Sequence, residues 1–227
     1  MTHQLQSGAR PEIALIFDMD GVVIDSNPIH RLAWAAFNRR YGLETTDAMQ
    51  QRMYGKRNDE IIRDFFGDAL SAEEIAARGA AKEELYRQMV GGDIEHALVP
   101  GLRQFLERHR DLPMGLATNA EPANVDFLLD QARLRPYFRV VVNGHEVQLP
   151  KPHPEIYLRA AALLETEPAH CIVFEDSESG VAAARAAGMR TVLLRTTHGD
   201  LPGTQFAIDN FLNRDLDRWL RAQQCVA

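Results

Sequence analysis

The chain has 227 residues, of which 45% are hydrophobic and 25% charged, and its formal net charge is −7. That length suits one large domain or a domain carrying an insertion, and the acidic balance, with no basic run interleaved with aromatics, argues against a nucleic-acid surface. No stretch is long and apolar enough to span a bilayer, and the first ten residues lack the apolar segment of a secretory leader. Cys171 and Cys225 have no metal-site spacing, so a reducing cytoplasm is the expected setting and Cys171 an expected core residue.

The first predicted element is the apolar run at residues 13–17, which reads as a parallel strand covered on both faces. It ends in Asp18-Met19-Asp20-Gly21. Carboxylates at the end of a buried strand need a charged partner, and the crevice beyond strand ends is where ligands bind in an open α/β sheet. A divalent cation is the economical partner for Asp18 and Asp20. Taken alone, Asp-x-Asp-Gly also suits a solvated turn.

No further strand is expected until residue 114. The interval reads as helices over 29–41, 46–54, 58–66 and 72–90, punctuated by Gly42, Gly55, Gly67 and Gly91-Gly92. A helical block inserted after the first strand predicts a cap domain hinged at 25–28 and 91–100, able to close over the strand ends.

Beyond it the pattern alternates. Helix-like segments at 101–110, 124–134, 154–164 and 180–187 separate strand-like runs at 114–117, 139–143, 171–175 and 191–194, with Gly188 as a helix stop. The expected fold is therefore α/β, a doubly wound parallel sheet of Rossmann-like type with an inserted all-helical cap domain. Residues 1–26 and 97–227 would form the core, and 27–96 the cap.

Three further places carry chemistry. Thr118-Asn119 end the second strand, where a hydroxyl and an amide suit either an oxyanion or a helix start. Lys151 is bracketed by Pro150 and Pro152, which stiffen its backbone; it is either a placed cation or a surface lysine in a rigid loop, with His153 a loop residue. Glu175-Asp176-Ser177 end the fourth strand, either a second acidic strand end that would repel the first without a cation or an N-cap for the helix near Gly180, which would leave Glu175 unexplained.

The set Asp18-x-Asp20, Thr118, Lys151 and Glu175-Asp176 resembles the four motifs of the haloacid dehalogenase superfamily of phosphatases and phosphomutases, over nearly the whole chain. The resemblance implies that Asp18 is the nucleophile, forming an aspartyl phosphate, and that Asp20 protonates the leaving oxygen and then activates water. It implies that Thr118 and Lys151, with Asn119, hold the phosphoryl oxygens. Mg²⁺ would be held by Asp18, the backbone carbonyl of Asp20, and Asp176, with Glu175 close by. Such a set fits phosphoryl transfer, which needs positioning and charge neutralisation.

Within the superfamily the chain resembles the β-phosphoglucomutase-like subgroup. His30 matches a histidine near the cap hinge, though it also suits a helix start. Gly55-Lys56-Arg57-Asn58 resembles the cap loop that reads the substrate. Lys82 matches a cap lysine that reaches the site, or is a solvated charge on a long helix. The mutases carry Ser-Lys-Asn where this chain has Ala120-Glu121-Pro122, and a carboxylate there would repel a distal phosphate. The expected function is an Mg²⁺-dependent phosphatase, a phosphoric monoester hydrolase acting on a small phosphorylated metabolite such as a sugar or polyol phosphate. The alternatives are a phosphosugar mutase and a non-catalytic binding module of the same fold. A monomer is expected, with neither nucleic acid nor membrane as partner.

Overall fold

The computed structural model describes residues 13–53 and 56–224. Its strands, β1 (Ala14–Phe17), β2 (Met114–Ala117), β3 (Val140–Val142), β4 (Cys171–Glu175), β5 (Arg190–Leu194) and β6 (Phe206–Ile208), form one sheet. All pairings are parallel, in the order β3-β2-β1-β4-β5-β6. The chain builds outward from β1 to β2 and β3, then returns to the other side of β1 for β4 to β6. The reversal makes β1 the topological switch point, where a crevice opens at the carboxyl ends of the strands.

Alternation along β1 divides the core into two layers. Leu15 and Phe17 point into one with Phe105, Phe174 and Phe211. There the Phe17 and Phe174 rings stack 4.7 Å apart. Ala14 and Ile16 point into the other with Ala160, Ala161, Ala183 and Ala184. These alanines come from α8 (Glu155–Leu163) and α9 (Glu178–Ala186) and let those helices lie close to the sheet.

Directly after β1 come α1 (Asn27–Arg40), α2 (Asp47–Met53), α3 (Asn58–Phe66) and α4 (Ala72–Val90). They bury a cluster of their own built on Trp34, Phe37, Met53, Ile61, Ile62 and Ile75. Ser71 opens α4 with a reciprocal cap: its hydroxyl accepts from the Glu74 N–H at 3.2 Å, and the Glu74 carboxylate accepts from the Ser71 N–H at 2.8 Å. The chain returns through α5 (Ile94–Ala97) and α6 (Leu102–Arg108). Outgoing and returning connectors pair with each other. Asp25 N–H donates to Ala97 O at 2.8 Å, Val99 N–H donates to Val23 O at 3.1 Å, and Ile24 and Leu98 form an antiparallel bridge.

The remaining helices are α7 (Pro122–Gln131) and α10 (Leu216–Gln224). Three helices start two residues earlier than the apolar periodicity predicts: α1 and α7 because Pro28 and Pro122 occupy the first turn, where a missing N–H costs nothing, and α9 because Ser177 caps it, its hydroxyl accepting from the Gly180 N–H. Helix α7 also stops at Gln131, short of the expected 134. Gly188, with φ of 74°, follows the end of α9 as expected. β6 and α10 were not expected. Residues Tyr54, Gly55 and Cys225 lie outside the described residues, and with them the expected place of Gly55 in the cap loop.

Candidate active site

The parallel register brings the chemistry-bearing residues together. Phe17 sits opposite both Leu116 and Phe174, so the residues that follow β1, β2 and β4 emerge at one level. Asp18 N–H donates to Phe174 O at 3.0 Å, and Thr118 N–H to Val142 O at 3.0 Å, holding both just past the strand ends. Lys151 comes from the loop between β3 and α8, and its peptide bond to Pro152 is cis. It is 6% exposed. The ammonium group donates to Asp18 Oδ1 at 2.8 Å, to Glu175 Oε1 at 2.8 Å and to Ala117 O at 3.1 Å. It is a placed cation, not a surface lysine.

Glu175 is fully buried and both its oxygens are engaged. Oε1 accepts from Lys151 and from the Tyr157 hydroxyl at 2.7 Å. Oε2 accepts from the N–H groups of Asp176 and Ser177, at 2.8 and 3.0 Å, and from the Ser177 hydroxyl. Gly180 makes this possible, since a Cβ there would lie 1.7 Å from Glu175 Oε1. Asp176 accepts from the Thr197 hydroxyl and from Asn27 Nδ2. Gly21, with φ of 74°, gives it room: a Cβ there would lie 1.9 Å from Asp176 Oδ2.

Carboxylate oxygens of Asp18, Glu175 and Asp176 lie within 4.8 Å of one another, a buried triad that could hold a metal ion. Their electrostatics agree. Burial pushes the Asp18 carboxyl up to about 7, against the pull of Lys151, and Glu175 adds to the rise. Burial, then the charges of Glu175 and Asp18, push Asp176 well above the usual carboxylate range. Glu175 also feels burial, but Lys151 outweighs it and holds Glu175 below its ordinary value. Burial would likewise lower Lys151, yet the Asp18 and Glu175 charges raise it. One lysine does not neutralise three clustered carboxylates. The donor set is all oxygen and suits a hard divalent cation.

The Asp20 carboxylate stands apart from that triad. It accepts from the Ser26 hydroxyl at 2.5 Å and lies 3.4 Å from His30 Nε2. Burial would raise it, but His30 and Ser26 prevail and hold it below its ordinary value. Ser26 is the N-cap residue of α1, yet its hydroxyl makes no cap hydrogen bond because it faces Asp20. Thr118 is buried, and its hydroxyl oxygen accepts from the Ala120 N–H at 3.2 Å, so the hydroxyl proton is the end it can offer an oxyanion. Asn119 Oδ1 accepts from the Lys151 N–H at 3.4 Å.

From the helical insertion, His30, Lys56, Arg57, Asn58 and Lys82 line the same cavity of about 90 Å³ as Asp18, Asp20, Thr118, Asn119, Lys151 and Asp176. Lys82 is 2% exposed, so the solvated alternative is wrong. Its ammonium contacts His30 Nδ1 at 2.9 Å, and the His30 ring stacks on Tyr86 at 3.9 Å. Arg57 reaches the core: Nη2 donates to the carbonyls of Gly144 and Val147. Asn58 Nδ2 donates to Glu83 Oε1 at 2.7 Å. Lys56 is exposed on the rim. A second cavity of about 480 Å³ adjoins the first and shares Arg57, Asn58, Glu83, Asn119 and Glu121 with it. His153 is an exposed loop residue.

Sequence reasoning missed Ser26, Tyr157 and Thr197, which orient Asp20, Glu175 and Asp176. It also missed Glu83 and Asn124, which touch across the gap between insertion and core. Tyr157 had a usable signal, as an aromatic with a polar tip on the buried face of a helix. The others had none.

A model of the haloacid dehalogenase-like hydrolases matches residues 14–188. With that match, the parallel sheet, its helical insertion and the acidic strand ends define a class, the phosphoric monoester hydrolases. The chain belongs to the haloacid dehalogenase-like hydrolase family. It is 34% identical over 183 residues to the fructose-1-phosphate phosphatase YqaB of Escherichia coli, covering 80% of this chain and 95% of the relative. It is 30% identical over 190 residues to the β-phosphoglucomutase of Bacillus subtilis, covering 79% and 81%. A crystal structure of β-phosphoglucomutase from Clostridium difficile superposes with a TM-score of 0.83 at 22% identity, over 94% of this chain and 97% of that one, which is a likeness of fold. No helix among the described residues is long and apolar enough to cross a membrane.

Proposed function

We propose that this enzyme is an Mg²⁺-dependent phosphatase of small sugar or polyol phosphates, working through an aspartyl phosphate on Asp18. The observation that carries the reading is the placement of two carboxylates one residue apart in one cavity: Asp18 Oδ1 meets the Lys151 ammonium at 2.8 Å within the buried triad of Asp18, Glu175 and Asp176, whereas Asp20 stands outside the triad, bonded to the Ser26 hydroxyl and 3.4 Å from His30. Two carboxyls in such different surroundings suit different catalytic roles.

The Asp18 carboxylate attacks phosphorus as the bond from phosphorus to the leaving oxygen breaks. Asp20 gives that oxygen its proton. The incoming phosphate dianion raises Asp20 by like-charge repulsion, which supplies the protonated form. Asp20, now a carboxylate, then takes a proton from the water that attacks the aspartyl phosphate, releasing inorganic phosphate and restoring Asp18. Lys151 and the Thr118 hydroxyl meet the phosphoryl oxygens. Mg²⁺ bound by Asp18, the Asp20 carbonyl and Asp176 would neutralise phosphoryl charge and keep Asp18 ionised. Glu175, with both oxygens engaged, anchors Lys151 from behind.

The inner cavity, of about 90 Å³ and lined by Asp18, Thr118, Lys151 and Asp176, takes the phosphoryl group. The sugar body then extends into the adjoining cavity past Asn58, Asn119 and Glu121. We take 27–96 as the cap that opens to admit it. The names of the relatives agree with a phosphorylated carbohydrate as substrate class. Glu121 favours hydrolysis of a monophosphate over a mutase cycle, because a carboxylate on the rim repels a second phosphate. Its Oε2 lies 2.8 Å from His145 Nε2. A mutase reading draws support from one feature: Arg57 lines both cavities and its Nε is buried without a partner.

The test is product analysis with β-glucose 1-phosphate, fructose 1-phosphate, glucose 6-phosphate and glycerol 3-phosphate in Mg²⁺, with no bisphosphate added. Inorganic phosphate release supports the phosphatase. Conversion of β-glucose 1-phosphate to glucose 6-phosphate, lost in Arg57→Ala, would make it a mutase.

A further inference from the structure

One carboxylate in the helical insertion is more deeply committed than its sequence suggests. Glu83 is 4% exposed, on the buried stripe of α4. A buried carboxylate persists only where donors surround it. Glu83 Oε1 accepts from Lys82 Nζ and from Asn58 Nδ2 on α3, and Oε2 accepts from Asn124 Nδ2 at 2.5 Å. Asn124 lies on α7, in the core, 41 residues away, and is 2% exposed. Its Oδ1 accepts from Arg87 Nη1 at 2.8 Å. The amide is therefore read at both ends. Turned over, it would set oxygen against a carboxylate and nitrogen against a guanidinium. On its other side Glu83 holds Lys82, which contacts His30 Nδ1 at 2.9 Å, and His30 Nε2 lies 3.4 Å from Asp20.

We infer that Glu83 and Asn124 are positioning residues for phosphoryl transfer: their hydrogen bond across insertion and core sets Lys82 and His30, and through them the orientation of Asp20, when the cap is closed. The inference rests on the reading of Asp20 as general acid and base. Neither residue touches the reacting atoms. Asn124 contributes only when α7 and α4 are together, so the clasp ties a competent Asp20 to the closed cap. A proton donor misplaced by a fraction of an ångström loses much of its effect, since general acid catalysis depends on hydrogen-bond reach.

The test exploits leaving-group chemistry. Nitrophenolate leaves without a proton, whereas a sugar alkoxide needs one. Wild type, Asn124→Ala, Glu83→Gln and Asp20→Asn are compared in kcat/KM on p-nitrophenyl phosphate and on the aliphatic ester turned over fastest among fructose 1-phosphate, glucose 6-phosphate and glycerol 3-phosphate. Both clasp variants are expected to lose about tenfold more on the aliphatic ester than on the nitrophenyl ester, in the direction shown by Asp20→Asn. The exchanged pair, Glu83→Gln with Asn124→Asp, keeps a donor facing an acceptor across the interface and a charge beside Arg87, and is expected to recover most of the ratio. If Glu83→Gln does not fold, Asn124→Ser carries the test, because it leaves the Lys82–Glu83 pair in place. Equal losses on both esters, or no loss, with Asp20→Asn still discriminating, overturn the positioning role alone. If Asp20→Asn slows both esters alike, the acid–base reading of Asp20 fails and the clasp proposal falls with it.

Discussion

The Glu83 carboxylate makes a quantitative demand on acid stability. Burial would raise it, but the charges of Lys82 and His30 and the Lys82 and Asn124 hydrogen bonds bring it from an ordinary 4.5 to about 2. A carboxyl lowered on folding stabilises the native state above its unfolded value, and that stability is lost as pH falls through the folded value. The window here runs from 4.5 down to about 2. A depression of this size corresponds to roughly 3 kcal/mol at neutral pH, by the ~1.4 kcal/mol that accompanies each pKa unit. Integrating the same linkage, about 2 kcal/mol of it should be gone by about pH 3. Glu83→Gln cannot take up that proton. Urea unfolding of wild type and Glu83→Gln, followed at steps from about pH 6 to pH 3, should therefore show wild type the more stable at the upper end, with the gap narrowing by roughly 2 kcal/mol at the lower. A gap that stays constant across the series would refute the reasoning, because it would mean that Glu83 titrates alike in folded and unfolded chains.

Asp18→Asn should abolish turnover, since an amide cannot form the aspartyl phosphate, yet in chelator at about pH 8 it should melt above wild type. The raised Asp18 carboxyl contributes stability that is full below 3.8 and is lost as pH rises through about 7, and an amide escapes that loss. A lower melting point in Asp18→Asn would contradict it. Gly180→Ala places a methyl 1.7 Å from Glu175 Oε1 and should cost about 1–3 kcal/mol in a melt and far more in rate, since Lys151 rides on that carboxylate. A variant as stable and active as wild type would show that the Glu175 anchor is dispensable. Activity should vanish after chelation, return with Mg²⁺ and fail to return with Ca²⁺, which takes more and longer bonds than Asp18, Asp176 and the Asp20 carbonyl would offer in compact form. Full turnover in chelator would remove the metal from the mechanism.

The core site was legible because strand ends advertise themselves. An apolar run that stops at Asp18, and another that stops at Glu175, can be read without knowing which strands are neighbours, and two prolines mark Lys151 as held. The helical insertion was legible as an interval with helix punctuation and no strand. β6 was not. It is as short and as partly buried as β3 at the opposite edge, but where β3 is a run of three β-branched valines, β6 is Phe-Ala-Ile, which gives no comparable strand signal. Lys82 was ambiguous because composition places lysines outside. Only the stripe Ile75, Gly79, Lys82, Tyr86 and Val90, at helical spacing, places it on the buried face. Glu83 and Asn124 were illegible for a different reason. Each looks like an ordinary polar residue on a helix, and their meaning arises when two helices far apart in sequence are brought face to face.

The pairing of the two connectors has a consequence for how this enzyme can be remodelled. Because Ile24 and Leu98 form a bridge, the helical insertion leaves and re-enters the core at a single point, its ends roughly 5 Å apart as in any antiparallel pair. A segment attached like that is a cassette. It can be shortened, lengthened or exchanged for another helical hairpin without displacing β1 or β2, and so without disturbing Asp18, Thr118 or Lys151. A replacement would leave the strands of the core in place, but it would have to bring a histidine and a lysine back to Asp20, so the cassette is interchangeable only as far as that contact is kept.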